Sequence, residues 1–513
     1  MGSIGNANRP DYDVLVIGAG LSGCYALHRM REQKLKVKCI EAGTAVGGTW
    51  YWNRYPGARF DSESYSYGFS WDESILAEWD WTEFNTRIKT AHWLEEQRIW
   101  QLTDGEGKTY TSQFLITAMG VLSNPTLPNV PGVDSYQGEA FHTARWPKQP
   151  VSFEDKKVGI IGTGATAIQA IPEIAKTAGH LTVFQRTPNW AVPLHNGKIS
   201  REEMEGLRQG YPQLFEMLDK TKMAFMHDSN PDSIWEASEE EREELWEHLY
   251  AQPGFGMWLS NYKEIMLDRD ANKLVSDFVA KKIRQRVHNP ETAETLIPTK
   301  HGFGTRRVPM ETFYFEAYNR PNVRLVDINK TPIDSITQHG VRTTAEEHEF
   351  DMLIYATGFD AVTGAFDAIE FKGTGSGTLY ENWSEGPKTY LGITVQRMPN
   401  MFMIMGPHQA YGNIPRSIQF AVDWVSNCIE YLRANNITRI EAREEGVKDW
   451  TEHVHQISEG LLSNEVDSWM TGVNKNVAGK QKRIVARYNG AAPEFRERCR
   501  AVADRRYETF SLS

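Results

Sequence analysis

Two glycine-rich turns carry the plainest chemistry in this sequence. The first, Gly18-x-Gly20-x-x-Gly23, follows the apolar run DVLVI and opens a helical pattern; the second, Gly162-x-Gly164-x-x-Ala167, follows KKVGII in the same way. Glycines at this spacing allow a tight turn, close approach of backbone to a pyrophosphate, and close packing of helix on strand, with the helix N-terminus facing the phosphates. Two dinucleotide sites are therefore expected. They differ twenty-three positions after the leading glycine, where the first has Glu41 and the second Gln185. A carboxylate there accepts hydrogen bonds from ribose hydroxyls. An amide followed by Arg186 and Thr187 can hold a 2′-phosphate that a carboxylate would repel. A charge-assisted hydrogen bond contributes about 1.5–3 kcal/mol, so the second site is expected to prefer NADPH to NADH.

The elements that must position these turns are legible from pattern and composition. At 513 residues the chain is too long for one core. Strand, turn, helix and strand recur on either side of position 140, as in doubly wound α/β folds. From 47 to 70 the sequence GGTWYWNRYPGARFDSESYSYGFS has neither a two-residue nor a helical period, and so reads as an ordered loop lining a site. From about 198 to 299 the pattern turns helical and charged. There Ser238 with Glu241 forms a capping-box signature before Leu245, Trp246 and Leu249, which marks the acidic run Glu239 to Glu241 as a solvated first turn and not a metal site. His408, on a later loop, reads as a packing or solvent-facing residue and not as a catalyst.

Composition excludes several classes. A net charge of −11 argues against nucleic acid, which needs a basic face. No apolar run reaches the length that spans a bilayer, and the N-terminus has no signal-peptide core. Cys24, Cys39, Cys428 and Cys499 show no CxxC spacing, so a structural disulfide, a metal site and a dithiol redox centre are not expected. No metal ligand set is assigned. The expected setting is the cytoplasm, with no membrane partner, as a monomer or weak dimer.

Between the two halves lies YQGEAFHTARWP, residues 136–147, a connection with too many aromatic side chains for a plain linker. Its Tyr136, Gly138, His142-Thr143 and Trp146-Pro147 resemble the fingerprint of the type I Baeyer–Villiger monooxygenases, flavoenzymes that insert oxygen beside a ketone carbonyl. The resemblance runs from about residue 10 to 510. It implies an α/β fold of two dinucleotide-binding (Rossmann-like) domains, one for FAD and one for NADP, with a helical insertion in the NADP domain. The implied division is 1–135 and 361–513 for the FAD domain and C-terminal tail, 136–147 for the linker, 148–197 and 300–360 for the NADP domain, and 198–299 for the insertion.

By the same resemblance Gly48, Thr49, Trp50 and Tyr67 would contact FAD, Ile88 its adenine end, and Asn413 and Ile414 would mark a helix N-terminus near the flavin ring. Around the second turn Thr163, Ala165, Thr166 and Gln169 would join Gly162 and Gly164 in holding NADP. Arg306 would meet the 2′-phosphate and Trp469 the nicotinamide ribose. Asp61 would lie beside the isoalloxazine ring, paired with Arg307 above it. Phe60 stands where the family usually has cysteine, and Met119 where it usually has a small residue.

The implied chemistry asks for a positive charge that cannot lose its proton, and arginine, with a pKa above 12, meets that need. Arg307 would stabilise a flavin peroxide and the oxyanion it forms on the ketone. His142 reads as a structural switch. After WDESILAEWDWTE the family continues through a helix of about two dozen residues, roughly 36 Å long, which this chain lacks: Glu83 runs straight into Phe84. Unless another segment covers that surface, the gap would leave a hydrophobic patch and a cleft open near the flavin. It keeps alive a second reading, a flavoprotein of weak or uncoupled NADPH oxidase activity; a third, oxidation of nitrogen or sulfur, fits the fingerprint less well.

Overall fold

The computed structural model describes residues 9–70 and 82–513. The strand Tyr12–Ile17 is buried from Val14 onward, as an unbroken apolar run must be when a parallel sheet is covered on both faces. It lies between Val37–Ile40 and Thr109–Thr117, parallel to both. Two antiparallel strands, Ile88–Leu94 and Ile99–Asp104, extend the sheet on one side and Thr82–Glu83 closes the other. The C-terminal part of the chain returns to the same sheet through Glu370–Lys372 and Met401–Met403. On one face the helix Leu21–Glu32, opened by the first glycine turn, packs against the long helix Ile414–Ala434.

The second sheet has five parallel strands in the order Val323–Asp327, His180–Gln185, Lys157–Ile161, Met352–Tyr355, Glu139–His142. Its edge strand comes from the stretch read in the sequence as a linker, and its register runs from Glu139 opposite Met352 to His142 opposite Tyr355. Beyond it Phe141 packs on Trp146 at 5.2 Å between ring centres, and Trp146 on Phe153 at 6.3 Å. The aromatic content of this stretch is spent on docking it to the second sheet.

The chain crosses between the sheets twice, and the crossings are bonded to each other. Asn124–Pro125 and Phe359–Asp360 form an antiparallel pair, and Thr126 donates its N–H to Gly358 O at 3.0 Å. The tail fastens to the same place: Asn474 Nδ2 donates to Phe359 O at 2.8 Å, and Lys480 Nζ lies 2.7 Å from Asp367 Oδ2.

The region 198–299 is helical, with Arg201–Leu218, Glu239–Ala251 and Arg269–Arg286 as its longest elements. The capping box at Ser238 and Glu241 is formed in both directions, and Trp246 and Leu249 are buried. The insertion shares one hydrophobic core with the second sheet. The stretch WDESILAEWDW, residues 71–81, precedes the expected gap and lies outside the described residues. Immediately after it, Asn85 N donates to Gly43 O at 2.8 Å and Thr86 N to Glu41 O at 2.9 Å, so the shortened connection is fastened to the rim of the first glycine turn.

Candidate active site

A cavity of about 580 Å³ opens between the two sheets, a size typical of small-molecule sites. Gly18, Gly20 and Glu41 line it from the first turn, and Gly48, Thr49, Trp50, Asp61 and Tyr67 from the long loop. Ala165, Thr166 and Gln169 line it from the second turn. Ile88, Ile414, Trp469 and Arg307 complete this set from four further segments. Gly23, Gly162, Thr163, Gly164, Asn413, Arg186, Thr187 and Arg306 are not among the residues that line it.

The first turn is shaped for a pyrophosphate. A Cβ on Gly23 would fall 1.7 Å from Gly18 O, so only glycine lets the helix sit this close to the strand. Gly20 and Gly48 face each other across the turn, with a Cβ on Gly48 only 2.7 Å from Gly20 Cα. No side chain caps the helix that begins after Gly20, which leaves its first N–H groups for an anion. Glu41 is buried and already accepts from Ala19 N and Gly43 N, both at 2.7 Å. It thereby holds the turn in shape, and each oxygen keeps a lone pair for a ribose hydroxyl. Asn413 points away from the cavity: its Nδ2 donates to Ser66 O at 2.8 Å, tying the long loop to the start of the helix Ile414–Ala434.

The second turn is more open. Gly164 precedes the helix Ala165–Ala175 without a side-chain cap, and a Cβ placed on it meets nothing within 4 Å. Thr163 Oγ1 donates to Thr187 O at 3.0 Å. Gln185 does not join a phosphate site. It is buried, and its Nε2 donates to Thr295 O at 2.7 Å, so the amide serves the fold while the adjacent cations remain. Arg306 is held below the usual arginine range first by burial and then by the like charge of Arg186. Its Nε has no partner, while one terminal nitrogen donates to Asp467 O at 2.6 Å. Two cations this close, incompletely neutralised, suit a dianionic phosphate. The same bond to Asp467 sets the neighbouring Trp469 on the cavity wall.

Arg307 and Asp61, 246 positions apart, form a two-pronged ion pair at the centre of the cavity wall. Asp61 is almost fully buried and also accepts from Met310 N at 3.0 Å, so its orientation is fixed from the backbone. Burial works against the charge on Arg307, but the Asp61 carboxylate more than offsets it and the pKa is raised. The 28% of the Arg307 side chain that remains exposed opens on the cavity, not on a flat outer surface. The guanidinium also lies 5.7 Å from the Phe255 ring centre.

Several lining residues carried no assignment from sequence. Tyr55, from the long loop, donates through its hydroxyl to Gln169 Oε1 at 2.7 Å, and Gln169 Nε2 donates back to Arg59 O at 3.0 Å, so that loop grips the helix of the second turn. Phe60 stacks on Tyr67 at 5.1 Å and meets Trp50 edge-on at 6.1 Å; both Trp50 and Phe60 remain more than a third exposed at the cavity rim. Arg145 sits 4.3 Å over the Trp52 ring and donates to Ala144 O and Ser123 O. Met223, Phe225, Phe255 and Trp258 come from the insertion. Arg487, near the C-terminus, is the second arginine of the run RIVARY, residues 483–488, and nothing in that run set it apart.

No histidine is among the residues that line the cavity. His142 accepts from Ala144 N through Nδ1 at 3.0 Å, and burial pushes its pKa down to about 4. His408 is buried against Thr389 and Val485 O, with its pKa likewise pushed down to about 4. All four cysteines are free thiols; burial pushes Cys24 up to about 12 and Cys39 well above its ordinary value.

The pyridine nucleotide-disulphide oxidoreductase family matches residues 12–210. Over 99% of both chains it is 42% identical to 2-oxo-Δ3-4,5,5-trimethylcyclopentenylacetyl-CoA monooxygenase of Pseudomonas putida. That alignment spans 541 positions although this chain has 513 residues, so the relative carries stretches that are missing here. Phenazine N-monooxygenase PhzNO1 of Lysobacter antibioticus is 36% identical over 98% of both chains, and cyclohexanone 1,2-monooxygenase of an Acinetobacter species 36% over 99% of this chain and 97% of its own. A crystal structure of OTEMO with FAD and NADP superposes with a TM-score of 0.94 at 41% identity, covering 98% of this chain and 100% of the other. With its fingerprint, its two glycine turns and full-length likeness to these enzymes, the chain belongs to the Baeyer–Villiger monooxygenase family.

Proposed function

We propose that this protein uses NADPH and O2 to insert one oxygen atom beside the carbonyl of a ketone, giving an ester or lactone, with the second oxygen leaving as water. FAD would lie along the first turn, held by Gly18, Gly20, Glu41, Gly48, Thr49, Trp50, Tyr67, Ile88 and the start of the helix at Ile414. NADP would follow Gly162 to Gln169, with its 2′-phosphate on Arg186, Thr187 and Arg306 and its nicotinamide end near Trp469. When bound, FAD takes a hydride from NADPH and supplies the activation of O2.

The residues of the chain supply charge and enclosure. Arg307 presents fixed N–H donors where negative charge grows on oxygen, and such preorganised donors are commonly the largest single contribution to catalysis. Asp61 keeps the guanidinium from swinging away, and Met310 N–H keeps Asp61 in place. Phe225, Phe255 and Trp258 roof the cavity and limit water, whose entry would divert the cycle to hydrogen peroxide. One observation carries this reading: a single cavity touches both glycine turns and has Arg307, braced by Asp61, in its wall.

The test supplies purified protein with FAD, NADPH, 18O2 and a panel of cyclic and linear ketones. Label in an ester supports the reading. NADPH oxidation that yields peroxide alone supports the uncoupled reading, which the open rim at Trp50 and Phe60 favours. N-oxidation of a heteroaromatic without attack on any ketone would place the chain functionally with its phenazine-oxidising relative.

A further inference from the structure

Arg307 and Arg145 reach the cavity with their charges accounted for, the first by Asp61 and the second by two carbonyls and the Trp52 ring. Arg487 reaches it with no hydrogen bond or ion pair among the described residues. Its surroundings are protein: Met223, Tyr411 and Gly412 flank it in the wall, and the Tyr411 hydroxyl is turned to Gly406 O at 3.1 Å. Burial pushes the Arg487 pKa down to about 10, with Tyr411 acting weakly the other way, so the group stays charged at neutral pH. Arg487 is half-buried in the cavity wall, so its guanidinium stays accessible from the cavity and is open to an anionic partner.

The outward side of Arg487 points to where that anion comes from. A small chamber continues from Arg487 past Tyr488 to Lys222, which is exposed and has no ion pair among the described residues. The loop that forms this corner is rigidly held: Asn413 N donates to Met223 O at 2.9 Å, and a Cβ on Gly412 would stand 2.3 Å from that same carbonyl. One cation on the surface and one inside would draw a negatively charged molecule inward.

We propose that the ketone substrate carries a carboxylate, received by Arg487 while its carbonyl faces Arg307. This rests on the oxygenase reading and narrows it from ketones in general to keto acids. The alternative source of negative charge, a phosphate of the nucleotide cofactors, is separated by the same experiment.

With FAD-loaded enzyme and saturating NADPH, kcat/KM is measured for cyclohexanones and cyclopentanones bearing a carboxylate and for their methyl esters. The wild type is expected to favour the acid at least about ten-fold, the worth of one charge-assisted hydrogen bond. Arg487→Met should cut the acid-to-ester ratio by about ten-fold or more, and Arg487→Lys should restore part of it. A wild type that favours the esters, or a ratio unchanged in Arg487→Met, overturns the proposal. So does an Arg487→Met enzyme that keeps the ratio but loses FAD or shows a ten-fold higher KM for NADPH, because the anion is then a cofactor phosphate. If Arg487→Met does not fold, the wild-type ratio and Arg487→Lys decide.

A binding arm stands apart from turnover: thermal stabilisation of the FAD and NADP+ complex by cyclohexanecarboxylate against cyclohexanecarboxamide, in wild type and Arg487→Lys. Stabilisation by the carboxylate that is weakened in the variant, without ester from any ketone, keeps this site and removes the oxygenase reading. Esters from neutral ketones, with no advantage for the acids, do the reverse.

Discussion

The two glycine turns are built on one plan and end in opposite ways. Both place a strand, a turn and an uncapped helix N-terminus against the same cavity. In the first, the residue that ends the second strand is a buried carboxylate tied to two backbone N–H groups, and the shortened connection at Asn85 and Thr86 is bonded to its rim. In the second, the matching residue turns into the fold, and the neighbouring cations Arg186 and Arg306, which do not line the cavity, are the proposed partners of a phosphate. A turn fastened by several backbone bonds favours slow release, whereas a more open turn bordered by cations favours exchange. The pair thus fits a resident flavin beside a nicotinamide cofactor that comes and goes.

Arg307 stands between the two sites, and its removal should break the comparison most completely. Arg307→Ala is expected to lower ester formation by about 10²–10³-fold, the usual loss for a key oxyanion donor, while NADPH still reduces the flavin. Ester yield against peroxide yield reads this directly, and an undiminished ester yield removes Arg307 from the chemistry.

Arg306→Ala sharpens the second half. KM for NADPH should rise about ten- to 150-fold, in line with about 1.5–3 kcal/mol for a charged hydrogen bond, and KM for NADH should stay where it was. Equal effects on both cofactors would mean that Arg306 acts only by holding Asp467 and the tail.

Glu41→Gln makes the first turn imitate the second. The amide would set an N–H donor against Ala19 N or Gly43 N, and about a ten-fold weaker hold on FAD is expected, measured as flavin retained through gel filtration. A fully yellow, stable variant would show that the carboxylate is dispensable to the first site.

The smallest effect concerns acid. His142, His301 and His408 are buried with pKa values pushed down to about 4, about 3 and about 4. Unfolded, each binds a proton near its ordinary 6.5, so between there and pH 4 the unfolded chain holds more protons than the folded one. Their contribution is therefore complete above pH 6.5 and shrinks as the pH falls towards 4, at up to about 1.4 kcal/mol per pH unit per histidine. Thermal unfolding between pH 7 and 4.5 measures it, and Tm should drop on acidification in the apoprotein as well, since none of the three needs a cofactor to be neutral. A flat Tm over that range would show that these rings are solvated.

Much of this plan could be read from the sequence because glycine turns, apolar strands and capping boxes are local patterns. The capping box at Ser238 needed only Glu241 three residues on. Asp61 and Arg307 are different: no periodicity links residues 246 positions apart, and only resemblance to a family suggested the pair. Gln185 shows the limit from the other side. Its type and spacing suggested a phosphate ligand, but the helix that carries Thr295 supplies a nearer acceptor that strand-and-turn reasoning could not foresee. The roof residues Met223 and Phe225 were equally hidden, because a helical insertion reveals its faces only once the sheet it covers is placed.

The edge strand Glu139–His142 bears on motion. Its ladder to Met352–Tyr355 makes the fingerprint a passenger of the nicotinamide half, so any swing between the halves must pivot upstream, where Asn124–Pro125 and Phe359–Asp360 lie side by side. Spin labels at Glu139 and Glu349 would keep one spacing throughout turnover, whereas a label at Glu139 and another at Glu106 would register each stroke.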